Sequence, residues 1–284
     1  MEGAQQEKMT RTLFFTLIIL VSSCGNPNDG KVDNNRELVP YPDKQEQENW
    51  ELTQNAEPFA VVELFSSEGC SDCPEAEEVL NKLTIEAMAD KSYIYPLAFH
   101  VDYWNKLGWK DPFADSAFSN RQRKYRKVLG NEVVYTPQMI INGRVEFTGT
   151  DDKRMRAVID SVMKLVPECY FTIYPNENKL KQGILEFEYE ILKIPANEES
   201  RELNICYALV ERKLGSDIMR GENKGKKMIH QNVVRKFGSS PLSSEKGKCS
   251  MDIAGISISK NHSLIVFIQD AERMKIIGAN LWNF

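Results

Sequence analysis

Between residues 58 and 167 the spacing of apolar positions changes period several times. Residues 59–65 form a short apolar run bounded by Pro58 and by Ser66-Ser67-Glu68-Gly69, the pattern of a buried strand. From Pro74 the period lengthens, and Ala76, Val79, Leu80 and Leu83 fall on one helical face. A second strand is predicted over 93–99. A helix over 116–129 is closed by Gly130, and strands over 138–141 and 144–147 flank the turn Asn142-Gly143. A helix over 151–166 ends the segment.

After Pro167 the helical period disappears. Runs at 170–174, 180–192, 203–214, 230–237, 251–258, 263–268 and 275–281 alternate as strands do, with turn residues between them and no long helix. Seven such strands predict an antiparallel, sandwich-like sheet pair. The expected organisation is therefore an α/β domain at 58–167 followed by an all-β domain at 168–284.

The N-terminus follows other rules. Arg11 precedes an apolar run over 13–21 and the small residues Ser22-Ser23-Cys24-Gly25, which describes an export leader over 1–23. Val21-Ser22-Ser23-Cys24 resembles the lipobox of bacterial lipoproteins, which makes Cys24 the expected lipidation site. The anchor would then be a lipid and not a span. Gly25, where an inner-membrane retention signal has aspartate, points to the outer membrane. Residues 24–57 are polar, carry no periodicity and read as a solvated tether. Their eight acidic and three basic side chains account for the whole formal charge of −5. The part from Pro58 onward is thus formally neutral, and charge gives no reason to expect a nucleic-acid partner.

Candidate chemistry centres on Cys70-Ser71-Asp72-Cys73. Pro74 fits the first turn of the helix, so Cys70 lies at its N-terminus, where unpaired N–H groups and the macrodipole favour a thiolate. An exported location permits a disulfide. Three readings follow: an exchanging pair with Cys70 as the exposed attacking thiolate and Cys73 resolving, a static staple, or a metal site. Structural zinc needs four ligands, and the chain has three histidines and no second C-x-x-C. Copper on Cys70, Cys73 and His100 is the metal alternative; otherwise no cofactor is expected.

Glu63 interrupts an apolar strand, either as a proton relay beneath the cysteines or as a salt-bridged or surface-facing side chain. His100 and Asp102 sit where the second strand ends, as a proton shuttle or as loop-forming hydrogen bonds. The aromatic loop with Trp104, Trp109 and Phe113 reads as local packing. The basic run Arg121, Arg123, Lys124, Arg126 and Lys127 reads as a solvated helix face. Residues 221–227 read as a β-connection, and His230 as an isolated structural histidine. Cys169, Cys206 and Cys249 leave every pairing open, Cys206 with Cys249 among them.

The order strand, C-x-x-C, helix, strand, helix, X-Pro, strand, hairpin and helix resembles the thioredoxin fold, with Thr136-Pro137 as the cis bond facing the cysteines. Thioredoxins carry a buried aspartate six residues before the first cysteine; Glu63 lies seven before, an offset that changes the face of the strand. The segments VELFSSEGCSDCP, AFHVDYWNKLGWKDPF, VYTPQMIINGR and RGENKGKKMIHQNVVR resemble an uncharacterised secreted thioredoxin-like bacterial family, domain of unknown function 1223, over about residues 58–284. The resemblance implies a fold and a candidate site, with no established activity. The expected function is a membrane-tethered thiol–disulfide oxidoreductase acting through Cys70 and Cys73 on an exported protein substrate or redox partner. A copper-delivery module and a non-catalytic scaffold lipoprotein are the alternatives.

Overall fold

A computed structural model describes residues 57–194 and 201–284. The leader, Cys24 and the tether as far as residue 56 lie outside the described residues. The elements in order begin with β1 (Ala60–Ser66), α1 (Cys73–Ala89), β2 (Ile94–His100), α2 (Ser116–Leu129), β3 (Gln138–Ile141), β4 (Val145–Thr148) and α3 (Asp152–Val162). Next come β5 (Tyr170–Pro175), β6 (Ile184–Lys193), β7 (Leu203–Glu211), β8 (Leu214–Asp217) and β9 (Lys227–His230). The chain ends with β10 (Val233–Pro241), β11 (Lys246–Asp252), β12 (His262–Asp270) and β13 (Ile276–Asn283). No described helix is long and apolar enough to cross a membrane.

One mixed sheet of eight strands, in the order β13-β12-β7-β10-β2-β1-β3-β4, organises the molecule. β1 and β2 are parallel, with Ser66 opposite His100, and β3 runs antiparallel to β1. Every residue of β1 is buried, as a central strand covered on both faces should be. Ala60, Val62 and Leu64 pack with Ala76, Leu80 and Leu83 of α1 and with Met155 and Ile159 of α3. Val61 and Phe65 face the other way, onto Phe118 and Tyr125 of α2. The tight turn after β3 has Gly143 at φ 66°, and a Cβ there would meet the Met274 carbonyl oxygen at 1.9 Å, so glycine is required.

The second half differs from the expected separate all-β domain. β10 pairs with β2 in parallel, Val233 opposite Ala98, and through it β7, β12 and β13 extend the same sheet. The sandwich exists, but only over that extension. Ile205, Tyr207 and Leu209 of β7, with Leu264, Val266 and Ile268 of β12, pack against Phe171, Leu185 and Phe187 of β5 and β6. β5, β6 and β11 form the facing three-stranded sheet. The reason is an edge: the first half leaves one side of β2 without a partner, and a strand of the second half fills it.

Three local expectations change as well. The strand expected over 251–258 ends at Asp252, because β11 begins at Lys246. The start of the run over 180–192 belongs to a one-turn helix, Glu177–Leu180. Cys206 and Cys249 do not bridge. Cys206 belongs to the core on the α2 side of the sheet and Cys249 to the core on the other, and both are free, as is Cys169.

Candidate functional site

The carboxyl ends of β1 and β2, the N-terminus of α1 and the segment before β3 meet at one end of the sheet. From β1 the chain bends through Ser67, whose carbonyl accepts the Cys70 N–H at 3.1 Å. Cys70 and Cys73 form a disulfide with Cα atoms 5.4 Å apart. Pro74 occupies the first turn of α1, and the preceding Asp72 makes no side-chain cap. The free N–H groups of that turn therefore direct their dipole toward the cysteines. The Thr136-Pro137 bond is cis, and both residues line an open groove with Ser71, Asp72 and Pro74. Trp104 Nε1 donates to Thr136 Oγ1 at 2.8 Å. Gly149 closes this corner: a Cβ there would lie 2.6 Å from Leu64 Cδ1, 3.0 Å from Ala76 Cβ and 3.1 Å from Pro137 Cβ.

Cys70 is not the exposed sulfur residue expected: it is 2% exposed, and Cys73 is fully buried. Part of the cover comes from the connection between β8 and β9. Asn223 Nδ2 donates to the carbonyls of Glu68 at 2.8 Å and Cys70 at 2.7 Å. Its Oδ1 accepts from Lys226 Nζ at 2.9 Å. The stretch 221–227 is indeed a β-connection, but one laid across the C-x-x-C.

Behind the disulfide lies a buried polar cluster. His100 Nδ1 is 2.7 Å from Asp111 Oδ2, which also accepts the Glu68 N–H at 2.8 Å. His230, at the end of β9, puts Nε2 3.0 Å from Glu68 Oε1 and Nδ1 3.1 Å from Glu77 Oε2. Trp109 Nε1 donates to the second oxygen of Glu68 at 2.7 Å. His230 is thus not isolated, and the aromatic loop reaches the site through Trp109. Burial pushes His230 down, but hydrogen bonds and charges from Glu68 and Glu77 outweigh it and raise its pKa to about 10. His100 is raised also, the Asp111 and Glu77 charges exceeding its burial. Burial lifts Glu77 and Asp111, yet the neighbouring imidazoles hold both carboxyls below their usual range.

Two expected site residues point elsewhere. Asp102 turns to α2, where its N–H donates to Ser119 Oγ at 3.0 Å and its carboxylate accepts from the same hydroxyl. Glu63 lies on the α2 side of β1, away from α1. Arg121 Nε donates to Glu63 Oε1 at 2.6 Å, Tyr125 donates to the other oxygen, and Gln269 accepts from Arg121 at 3.0 Å. The Arg121 guanidinium also stands 4.7 Å from the centre of the Phe237 ring. The one-residue offset has placed Glu63 in an ion pair. It also takes Arg121 out of the expected solvated run, at 7% exposure, while Arg123, Lys124, Arg126 and Lys127 remain exposed.

Glu68, Glu77, Asp111, Asn223 and His230 were absent from the expected site. Glu77 carried a signal, being a carboxylate one helical turn after Cys73 with the apolar Ala76 and Leu80 beside it. Glu68 and Asp111 sit in the two loops that precede helices, and nothing local sets them apart from capping residues. Asn223 and His230 are about 150 positions away, and only the pairing of β10 with β2 brings them in.

The family described as "Protein of unknown function (DUF1223)" matches residues 61–269. The crystal structure of Agrobacterium tumefaciens protein AGR_C_4864 is similar with a TM-score of 0.59 and 26% identity, over 79% of this chain and 93% of that one. HBP35 of Porphyromonas gingivalis is similar in fold, with a TM-score of 0.56 and 15% identity over 81% and 76% of the two chains. Among curated proteins none matches.

Proposed function

We propose that this chain, which belongs to the DUF1223 family, is a thiol–disulfide oxidoreductase with a thioredoxin-like core. The observation that carries the reading is the Cys70–Cys73 disulfide at the N-terminus of α1, whose neighbours Ser71, Asp72 and Pro74 share a groove with the cis Thr136-Pro137 segment. In the dithiol form the Cys70 thiolate attacks a substrate disulfide, giving a Cys70–substrate mixed disulfide and releasing one substrate thiolate. Cys73 then attacks Cys70, the second substrate thiolate leaves, and the pair returns to the disulfide with two electrons transferred. The unpaired N–H groups of α1 stabilise the Cys70 thiolate that begins the exchange, and the proton lost by Cys73 passes to a departing substrate thiolate. The substrate strand lies in the groove along Thr136 and Pro137, and the Asn223 connection shifts to uncover Cys70.

The leader-like segment and the lipobox-like Cys24 support a cell-envelope location with the folded part on a lipid anchor, and the residue after Cys24 favours the outer membrane. An exported thiol protein is then the substrate or redox partner. The His100 ring is held between Asp111 and Glu77, which leaves copper on Cys70, Cys73 and His100 without an observation in its favour.

The test is equilibration of the full chain in glutathione buffers, with turnover of a model protein disulfide. A reversible two-electron couple and turnover abolished by Cys70→Ser are expected. A wild-type protein that reduces no disulfide and oxidises no dithiol substrate sinks the reading, and a pair that stays oxidised in mild reductant identifies a static staple.

A further inference from the structure

The polar cluster behind the disulfide has more donors than its own hydrogen bonds use. Glu77, on α1, is one turn beyond Cys73; His100 ends β2 and His230 ends β9. The three side chains are buried, and one donor atom from each lies within 4.8 Å of the others. Two of their atoms, Glu77 Oε1 and His100 Nε2, are buried without a hydrogen-bond partner and stand 3.5 Å apart. Such orphaned atoms cost free energy unless something satisfies them.

We propose that Glu77, His100 and His230 form a binding site for a divalent transition-metal ion, zinc foremost. Two imidazoles and a carboxylate are the donor set that suits zinc. Bonds of about 2.0–2.2 Å in a tetrahedral site place donors about 3.2–3.6 Å apart. The 3.5 Å between His100 Nε2 and Glu77 Oε1 falls in that range, and His230 Nδ1, now 3.1 Å from the other Glu77 oxygen, completes a set whose donor atoms lie within 4.8 Å of one another. Each histidine has its remaining ring nitrogen on a carboxylate: His100 on Asp111 at 2.7 Å and His230 on Glu68 at 3.0 Å. This carboxylate–histidine arrangement fixes the tautomer and strengthens the ligand in metal sites.

Charge points the same way. Three buried carboxylates, Glu68, Glu77 and Asp111, surround the two imidazoles, a setting of acidic groups that suits a cation. The metal would tie α1, β2 and the end of β9 together, and so hold the connection that covers Cys70. No sulfur belongs to the site, so metal binding can be measured apart from thiol exchange.

The experiment uses the full chain stripped with chelator, then titrated with Zn²⁺ and, for its spectrum, Co²⁺. A one-to-one complex is expected, with visible Co²⁺ d–d bands and no sulfur-to-cobalt charge transfer. Glu77→Gln and His230→Gln should weaken binding at least about 100-fold, and Asp111→Asn about 10–100-fold. The Cys70→Ser/Cys73→Ser double variant should bind within a few-fold of wild type even though exchange is lost. Where a cluster variant fails to fold, the wild-type spectrum and a zinc-dependent rise in its melting temperature decide alone. No binding of either ion at micromolar concentration overturns the proposal and leaves a purely ionic cluster. So do charge-transfer bands from sulfur, or affinity unchanged in Glu77→Gln.

Discussion

Five cysteines lie among the described residues, and their surroundings sort them. Burial pushes the Cys169 thiol up to about 12 and the Cys249 thiol up to about 11, and it raises Cys206 as well. None is a thiolate at neutral pH. In the reduced protein, iodoacetamide followed by peptide mapping should therefore label Cys70 and leave Cys169, Cys206 and Cys249 unmodified until denaturant is added. Asn223 clasps the carbonyls on either side of Gly69, so Asn223→Ala should loosen the cover and speed labelling of Cys70 several-fold. Equal rates would show that the cover does not limit access. Arg121 makes a second residue-scale prediction. Arg121→Met leaves the Glu63 carboxylate buried without its ion partner and should cost about 3–5 kcal/mol in urea unfolding. The paired change Glu63→Leu with Arg121→Met removes both charges and should recover most of that loss.

At the scale of elements, the helices and hairpin of the first half were legible because their signals are local. Ser116–Leu129 ends at Gly130, whose φ of 74° is the left-handed stop expected of it, and Asn142-Gly143 marked its turn. The site was half legible. Cys70, Cys73, Thr136 and Pro137 sit in short motifs, and the residues flanking the cysteines share a groove with Thr136 and Pro137; for Glu63 the sequence leaves relay, ion pair and surface position open, and strand register selects the ion pair. The buried carboxylate one helical turn after Cys73 is Glu77, and period alone cannot separate it from a solvated helix residue. Gly149 offers a direct check of how tightly the elements close around the site. Gly149→Ala forces a methyl against Leu64, Ala76 and Pro137 and should destabilise by about 1–3 kcal/mol, read as a shift in the urea midpoint with unchanged m-value.

Over the whole molecule, what was not legible is the pairing of β10 with β2, since contacts so distant in sequence leave no periodic trace. That pairing brings His230 to Glu68 and Glu77, and it gives the metal-free protein a defined pH response. His230 has a pKa raised from 6.5 to about 10, so its contribution to stability is full below about 6.5, declines as pH rises and is gone above about 10. Glu77 and Asp111 are depressed, so theirs is present above the ordinary carboxylate range and lost as pH falls through the lowered values. The melting temperature should therefore be highest near pH 5–6.5 and fall on both sides. In His230→Gln the alkaline fall should shrink, and a profile identical to wild type would refute the assignment.

The same strand pairing has a consequence for anyone dividing the chain. A fragment ending at residue 167 keeps Cys70, Cys73 and the cis bond, but it loses β10 and the preceding Asn232, whose carbonyl accepts the Ala98 N–H at 3.0 Å. The flank of β2 is then a row of unmet backbone groups with Leu97 and Phe99 beside it, a template for a second fragment. Light scattering should find that fragment self-associated where the full chain is not. The second half thus also acts as a built-in shield against aggregation.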